Sequence, residues 1–264
     1  MTRIAVLGGG VMGEAIIAGL QRRTPPPSIV LVEKRPDRAA ELSARYGVSV
    51  ADAQTAVAGA EVIVLVVKPQ DVTALLDQIG PLIPARTLVI SIAAGIPTST
   101  ILAKARHAHV VRAMPNTPAR IEQGMTGVSP GQGCPPESLA QAMDLLASLG
   151  RVLQIPEDCQ DAFTAVAGSG PAYVFYLAES MIAAGIALGL DPRTAREAVV
   201  RTITGSAALL ASSDDEPGEL RARVTSPGGT TAAAIGVLER AGAADTVVAA
   251  ITAARDRGRE LAGG

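Results

Sequence analysis

Two hundred and sixty-four residues suffice for one large domain or two modest ones around a substantial buried core. The 23 basic and 25 acidic side chains leave a formal charge of −2 and a pI near 5.8, which excludes the basic footprint of a nucleic-acid binder and the polybasic patch of a protein held on anionic membrane. Two cysteines, Cys134 and Cys159, and two histidines, His107 and His109, make no disulfide framework, no four-cysteine zinc site and no three-histidine metal site.

Aromatic residues are 2% of the chain and Trp is absent, while 48% is apolar and much of that is Ala. The core is therefore expected to be close-packed from small aliphatic side chains. The N-terminus enters an apolar strand at once, with no signal-peptide layout. Ile4–Leu7, Ile29–Val32, Val62–Val67 and Thr87–Ile92 are continuous apolar runs, the pattern of parallel strands buried on both faces. Helical spacing marks Val11–Arg22, Asp37–Tyr46 and Val72–Ile79 between them. Val110–Ala113 and Gly124–Val128 are weaker strands, and Pro135–Leu149 is a further helix. The alternation predicts an α/β domain over residues 1–157, built on a doubly wound parallel sheet.

Beyond Glu157 the strand pattern stops. Asp158–Leu188, Pro192–Ala211 and Ala232–Leu261 read as helices, with turns at Gly189–Pro192 and Pro227–Gly229 and a polar loop at Ser212–Glu219. Residues 158–264 thus form an all-helical domain. Its longest apolar stretch, Ala172–Leu190, carries Tyr173, Tyr176, Glu179 and Ser180 and is expected as a buried helix of a cytoplasmic protein rather than a membrane span. Helices so rich in Ala and Gly complete their burial poorly within one chain, so this domain is expected to pack against a second copy; folding back onto the sheet domain is the alternative.

Gly8-Gly9-Gly10-Val11-Met12-Gly13 follows the first strand and opens the first helix, with the spacing G-x-G-x-x-G. The first Gly permits a tight turn, the second close approach to a pyrophosphate, and the third close helix–strand packing. Strand before and helix after make this a Rossmann-like dinucleotide turn, its phosphates facing amides at a positive helix end. Glu33 lies twenty residues past Gly13, where an acid grips the ribose hydroxyls of NAD. Lys34, Arg35 and Arg38 surround it, and an arginine there can hold the extra phosphate of NADP. The cluster favours NADPH, with NADH retained as a possibility and a solvated charge cluster as the plain alternative. Val66-Val67-Lys68-Pro69 and Ser91–Gly95 also sit at carboxyl ends of strands. There Ala93 and Ala94 would let a flat ring lie on the backbone, and Lys68 either meets the ligand or is a surface lysine. In Val111–Pro118, Asn116 and Thr117 either face a ligand or belong to a rigid connector.

All three lysines and both histidines precede residue 110, so the helical half holds neither. Ketone reduction usually needs a positioned proton donor of that kind; their absence points to an acceptor that is already cationic, such as a protonated C=N. Val166–Tyr173 interrupts an apolar helix with two Gly and a Pro, as a packing kink or a ligand contact. Val224-Thr225-Ser226-Pro227-Gly228-Gly229-Thr230-Thr231 runs directly into a helix. Its hydroxyls and amides would seat a small carboxylate, or Thr230 or Thr231 would cap the helix itself.

The segments GGGVMG, VVKP, SIAAGI, VVRAMPNTPA, AVAGSGPAYVF and VTSPGGTTAAAI stand in the order and spacing of the pyrroline-5-carboxylate reductases, which this chain resembles from Ile4 to Leu261. The resemblance implies NAD(P)H-dependent reduction of 1-pyrroline-5-carboxylate to L-proline. It implies cofactor contacts at Leu7, Gly8, Gly10, Val11, Met12, Arg35, Val66, Val67, Lys68, Pro69, Ala93 and Ala94. It places substrate contacts at Ser226, Gly229, Thr230 and Thr231, with Thr231 beside the imine nitrogen as proton donor. It also implies an interlocked helical homodimer, commonly built into a decamer. The chain departs from many relatives at the end of the second strand, where Glu33 and Arg35 replace Ser or Thr. A β-hydroxyacid dehydrogenase of the same two-part build would carry a lysine after the Gly-Ser-Gly segment, where this chain has Tyr173 and Val174. A dinucleotide sensor without turnover would show a recognition helix, and none is visible.

Overall fold

The apolar runs of the first half pair into one sheet because each is buried from both sides. In the computed structural model, which describes residues 2–105 and 108–263, the elements of this half are β1 (Arg3–Leu7), α1 (Val11–Gln21), β2 (Ser28–Val32), α2 (Pro36–Tyr46), β3 (Ser49–Val50), α3 (Ala53–Val57), β4 (Val62–Leu65), α4 (Pro69–Ile79), β5 (Leu88–Ser91), α5 (Thr98–Lys104), β6 (His109–Met114), β7 (Gly124–Pro130), α6 (Pro136–Leu146) and β8 (Gly150–Gln154). His107, one of the two histidines noted above, lies outside the described residues. The strand order is β3-β2-β1-β4-β5-β6-β7-β8. Alternate residues of each strand feed opposite layers. Ile4 and Val6 join Ile17, Leu20 and Leu146 on one face, while Ala5 and Leu7 join Val72, Leu76 and Ile101 on the other. The fully buried bulky side chains are Ile and Leu, the aliphatic core that the composition called for.

The sheet is mixed rather than wholly parallel. β1 to β6 run parallel, β7 runs antiparallel to β6, and β8 is parallel to β7. The cause is chain length. Residues 115–123, mostly a 3₁₀ turn at Thr117–Ile121, are too few for the crossover that a parallel neighbour requires. α6 then supplies such a crossover between β7 and β8.

Asp158–Leu188 is not one helix. It opens with a 3₁₀ turn (Glu157–Cys159) and α7 (Gln160–Phe163), widens into a π turn (Thr164–Gly168) and resumes as α8 (Gly170–Ala187). Pro171 has no N–H to continue the ladder, and the Ser169 amide reaches back five residues to the Thr164 carbonyl at 2.8 Å. This segment is fastened to the sheet. Glu157 accepts from the amide and hydroxyl of Thr98, both at 2.7 Å, and buried Arg112 faces Asp161 at 3.3 Å. Asn116 donates to the Ala167 carbonyl at 3.0 Å and accepts from the Met125 amide at 2.9 Å, so its side chain serves the fold.

Two compact units result, Met1–Ser169 with Ala254–Gly264, and Gly170–Ala253. The second contains α8, α9 (Pro192–Ser212), α10 (Pro217–Arg223), α11 (Thr230–Arg240) and much of α12 (Ala243–Gly263). Asp191 caps α9 by accepting from the Arg193 and Thr194 amides. Against the α9 residue Ala195, a Cβ on Gly185 would stand 3.3 Å from the alanine's own, so the small residues let the two helices approach closely. Three expectations are corrected here. Ala232–Leu261 is two helices, broken where Gly242 adopts φ +67°. The loop Ser212–Glu219 already holds the start of α10, nucleated by a capping box of Glu216 and Glu219. α8, expected as a buried helix, has no buried residue within its own chain, with Phe175 67% and Tyr176 73% exposed; its partners in one chain are too few to cover it. Among the described residues, no helix is long and apolar enough to cross a membrane.

Truncating a fully buried side chain of β4 tests the sheet core. Ile63→Ala should lower the unfolding free energy by about 2–5 kcal/mol in a denaturant titration.

Candidate active site

The glycine turn is fixed between two strand ends. The Gly8 amide donates to the Val32 carbonyl and the Val66 amide to the Leu7 carbonyl, each at 2.9 Å. The turn therefore sits where the strand order reverses between β1 and β4, the place for a ligand in such sheets. Gly8 takes φ +121°, and a Cβ there would lie 2.6 Å from the Val66 carbonyl oxygen. A Cβ on Gly13 would lie 2.0 Å from the Gly8 carbonyl oxygen, so no other residue lets α1 start this close to β1. Gly10 precedes α1 and offers no side-chain cap. A Cβ on it would meet no atom within 4 Å, so the backbone stands open at that point. The first-turn amides of α1 thus keep their hydrogens for a ligand.

Beside the turn lies a cleft of about 670 Å³. Of the expected cofactor residues, Leu7, Gly8, Gly10, Arg35, Val66, Val67 and Lys68 line it. Val11, Met12, Pro69, Ala93 and Ala94 do not. Val11 is exposed at the start of α1, Met12 packs on the core, Pro69 begins α4, and Ala93 is buried in the second core layer. The sequence reading omitted the face of α4, where Gln70, Asp71, Ala74, Leu75 and Gln78 complete the wall. Their near-helical spacing directly after Val66–Pro69 was the available signal.

The charge cluster at the end of β2 divides into spent and free groups. Glu33 accepts from the Gly9 amide at 2.9 Å and from the Arg35 amide and Nε at 3.0 and 3.2 Å. Burial opposes its charge, but those hydrogen bonds outweigh it and hold the carboxyl below its ordinary range. Arg38 donates through Nε to the Gly9 carbonyl at 2.9 Å and pairs with Glu14 and Glu41. The hydrogen bond from Arg38 is the main reason the Glu14 carboxyl is also held low, against the cost of burial. Arg38 is thus committed to the turn. Lys34, Arg35 and Lys68 are exposed on the cleft.

In the second unit the loop Val224–Gly229 joins α10 to α11. Gly228 has φ +70°, and the Gly229 amide donates to the Ser226 carbonyl at 3.0 Å. Gly229 precedes α11 and supplies no side-chain cap. Among the described residues, neither Thr230 nor Thr231 forms a side-chain hydrogen bond that would cap the helix. Ser226 in the loop and Thr230 and Thr231 in the first turn thus stand at a helix start that no side chain caps.

Residues 157–261 match the family described as pyrroline-5-carboxylate reductase dimerisation, and residues 3–95 match one described as NADP oxidoreductase, coenzyme F420-dependent. The pyrroline-5-carboxylate reductase of Corynebacterium melassecola is 40% identical over 99% of both chains, and that of Pseudomonas aeruginosa is 40% identical over 98% of this chain and 97% of its own. Among solved structures, the reductase of Coxiella burnetii superposes with a TM-score of 0.91 at 32% identity over 98% of both chains. The Plasmodium falciparum enzyme, solved with NADP bound, gives 0.87 at 26% identity, covering 99% of this chain and 98% of its own. With identity of this extent along its whole length, the chain belongs to the pyrroline-5-carboxylate reductase family.

Proposed function

We propose that the protein reduces 1-pyrroline-5-carboxylate to L-proline with NADPH as the preferred reductant and NADH as a substitute. The observation that carries this reading is the bare start of α11, where Ser226, Gly229, Thr230 and Thr231 offer amides and hydroxyls to a small carboxylate with no side chain capping the helix. In this reading residues 1–157 are the cofactor domain and residues 158–264 the substrate and dimerisation domain. Gly8, Gly10, Val11 and Met12 hold the pyrophosphate, a role supported by the open turn and the uncapped amides of α1. Lys34 and Arg35 face the 2′-phosphate. Val66, Val67, Lys68 and Pro69 border the ribose, and Ala93 and Ala94 the nicotinamide.

The nicotinamide, when bound, supplies a hydride to the imine carbon. The chain's own part is to hold and orient the substrate and exclude water. The amides opening α11 fix the carboxylate, and the Thr231 hydroxyl relays a proton from water to the imine nitrogen before hydride arrives, ending the step unchanged. No Lys or His of the helical half is needed, because a protonated imine accepts hydride without a stronger acid. The exposed apolar surface of α8 and the family match over 157–261 support a homodimer, which we place in the cytoplasm and extend to a decamer of five such pairs.

Mixing the protein with NADPH and 1-pyrroline-5-carboxylate should consume nicotinamide absorbance and yield proline. Consumption only with a hydroxyacid or keto-acid pair, or binding without turnover, would overturn the assignment. Thr231→Ala should cut kcat by on the order of tenfold to a hundredfold, at or below the low end of what a positioned acid supplies, while NADPH affinity stays nearly as it was in a fluorescence titration. Arg35→Ala should raise the KM for NADPH about tenfold, the worth of one charge-assisted contact, with a much smaller effect on NADH.

A further inference from the structure

An acid at the end of β2 ordinarily selects NADH, by gripping the ribose 2′-hydroxyl and repelling a 2′-phosphate. In this chain that acid lines the cleft, but its oxygens are already engaged. Its side chain is 9% exposed. Oε2 accepts the Gly9 amide, and Oε1 accepts two donors, the amide and Nε of Arg35, which fills its two lone pairs. Gly9 allows this reach because it lacks a side chain; a Cβ there would lie 2.9 Å from Glu33 Oε2. The same residue is held from its other end, where its carbonyl accepts Arg38 Nε at 2.9 Å. Arg35 is thereby tethered through Nε alone. Among the described residues nothing takes a hydrogen bond from its Nη1 or Nη2, and it lines the cleft with its side chain 66% exposed.

We infer that Glu33 is a positioning residue for NADPH, joining the glycine turn to Arg35 so that the guanidinium presents its terminal nitrogens as a preset fork to the 2′-phosphate. The inference rests on the reading of the protein as an NADPH-using imine reductase. A fork fixed at one edge loses less freedom on binding a phosphate than a loose chain does. The pairing with Arg35 also offsets the carboxylate's charge at the place where the phosphate would arrive.

Steady-state kinetics with 1-pyrroline-5-carboxylate and each coenzyme, and fluorescence titration of each coenzyme without the imine, in which Kd should follow KM, on full-length wild type, Glu33→Gln, Arg35→Ala, Arg35→Lys and the Glu33→Gln/Arg35→Ala double variant, test it. Glu33→Gln should raise the KM for NADPH about five- to tenfold, the scale of one lost charge-assisted tether, with kcat falling far less and the preference for NADPH over NADH shrinking. In the Arg35→Ala background the same substitution should change that preference no further. Arg35→Lys keeps the charge but lacks the tethered Nε–H and the fork, so its preference should resemble that of Arg35→Ala; this variant leaves Glu33 and the turn intact. A rise in NADPH preference in Glu33→Gln, full multiplication of the two effects in the double variant, or wild-type preference in Arg35→Lys would each overturn the inference. Failure of the underlying reading shows separately, as wild-type protein that oxidises neither coenzyme with the imine.

Discussion

The closeness with which α1 begins against the end of β1 governs the cofactor half of the molecule. Gly13 faces the Gly8 carbonyl at a separation that no side chain tolerates. That approach brings the helix's positive end to the turn, leaves the first amides bare beside the cleft, and sets Gly9 within reach of Glu33 and Arg38. The three glycines of the motif answer to three different constraints. Gly8 needs its backbone angle and its contact with Val66, Gly10 leaves open space, and Gly13 removes a clash. Losing any one would disturb a different property of the same cleft.

The helical half follows another rule. Its α8–α9 hairpin closes through small residues, with Gly185 against Ala195, so backbones approach while bulky side chains such as Phe175, Tyr176 and Leu188 remain outside. Within this unit α9 contributes just Ala195 and Val199 to the buried core. A unit with so little interior draws stability from covering its outer faces. This half has neither Lys nor His, and at the loop before α11 the groups left without a side-chain cap are backbone amides.

Much of this was legible in the residues. Ile4–Leu7 and Val62–Val67 announced buried parallel strands because apolar runs without alternation have few other uses. The glycine spacing placed the turn, and Val224–Thr231 the loop that opens α11. Other features rest on relations that a local pattern does not carry. β3 is two residues long, and β8 is an exposed strand with no apolar run to mark it. The reversal at β7 depends on how little chain separates it from β6. The interruption at Val166–Tyr173 was legible from its two Gly and Pro171, but not that it takes the form of a π turn at Thr164–Gly168. At the cofactor cleft, the charges of Glu33, Arg35 and Arg38 could be read but not their pairing. That pairing spends Arg38 on Gly9 and leaves Arg35 at the rim.

The brevity of β3 also bears on how copies of this chain can meet. A sheet margin is a template for further strands in proportion to the length of ladder it displays. Ser49 and Val50 display two rungs, flanked by the Gly47 bend and the Asp52 cap of α3. Too few hydrogen bonds are on offer there to recruit a neighbour by strand addition, so that border of the sheet ends growth.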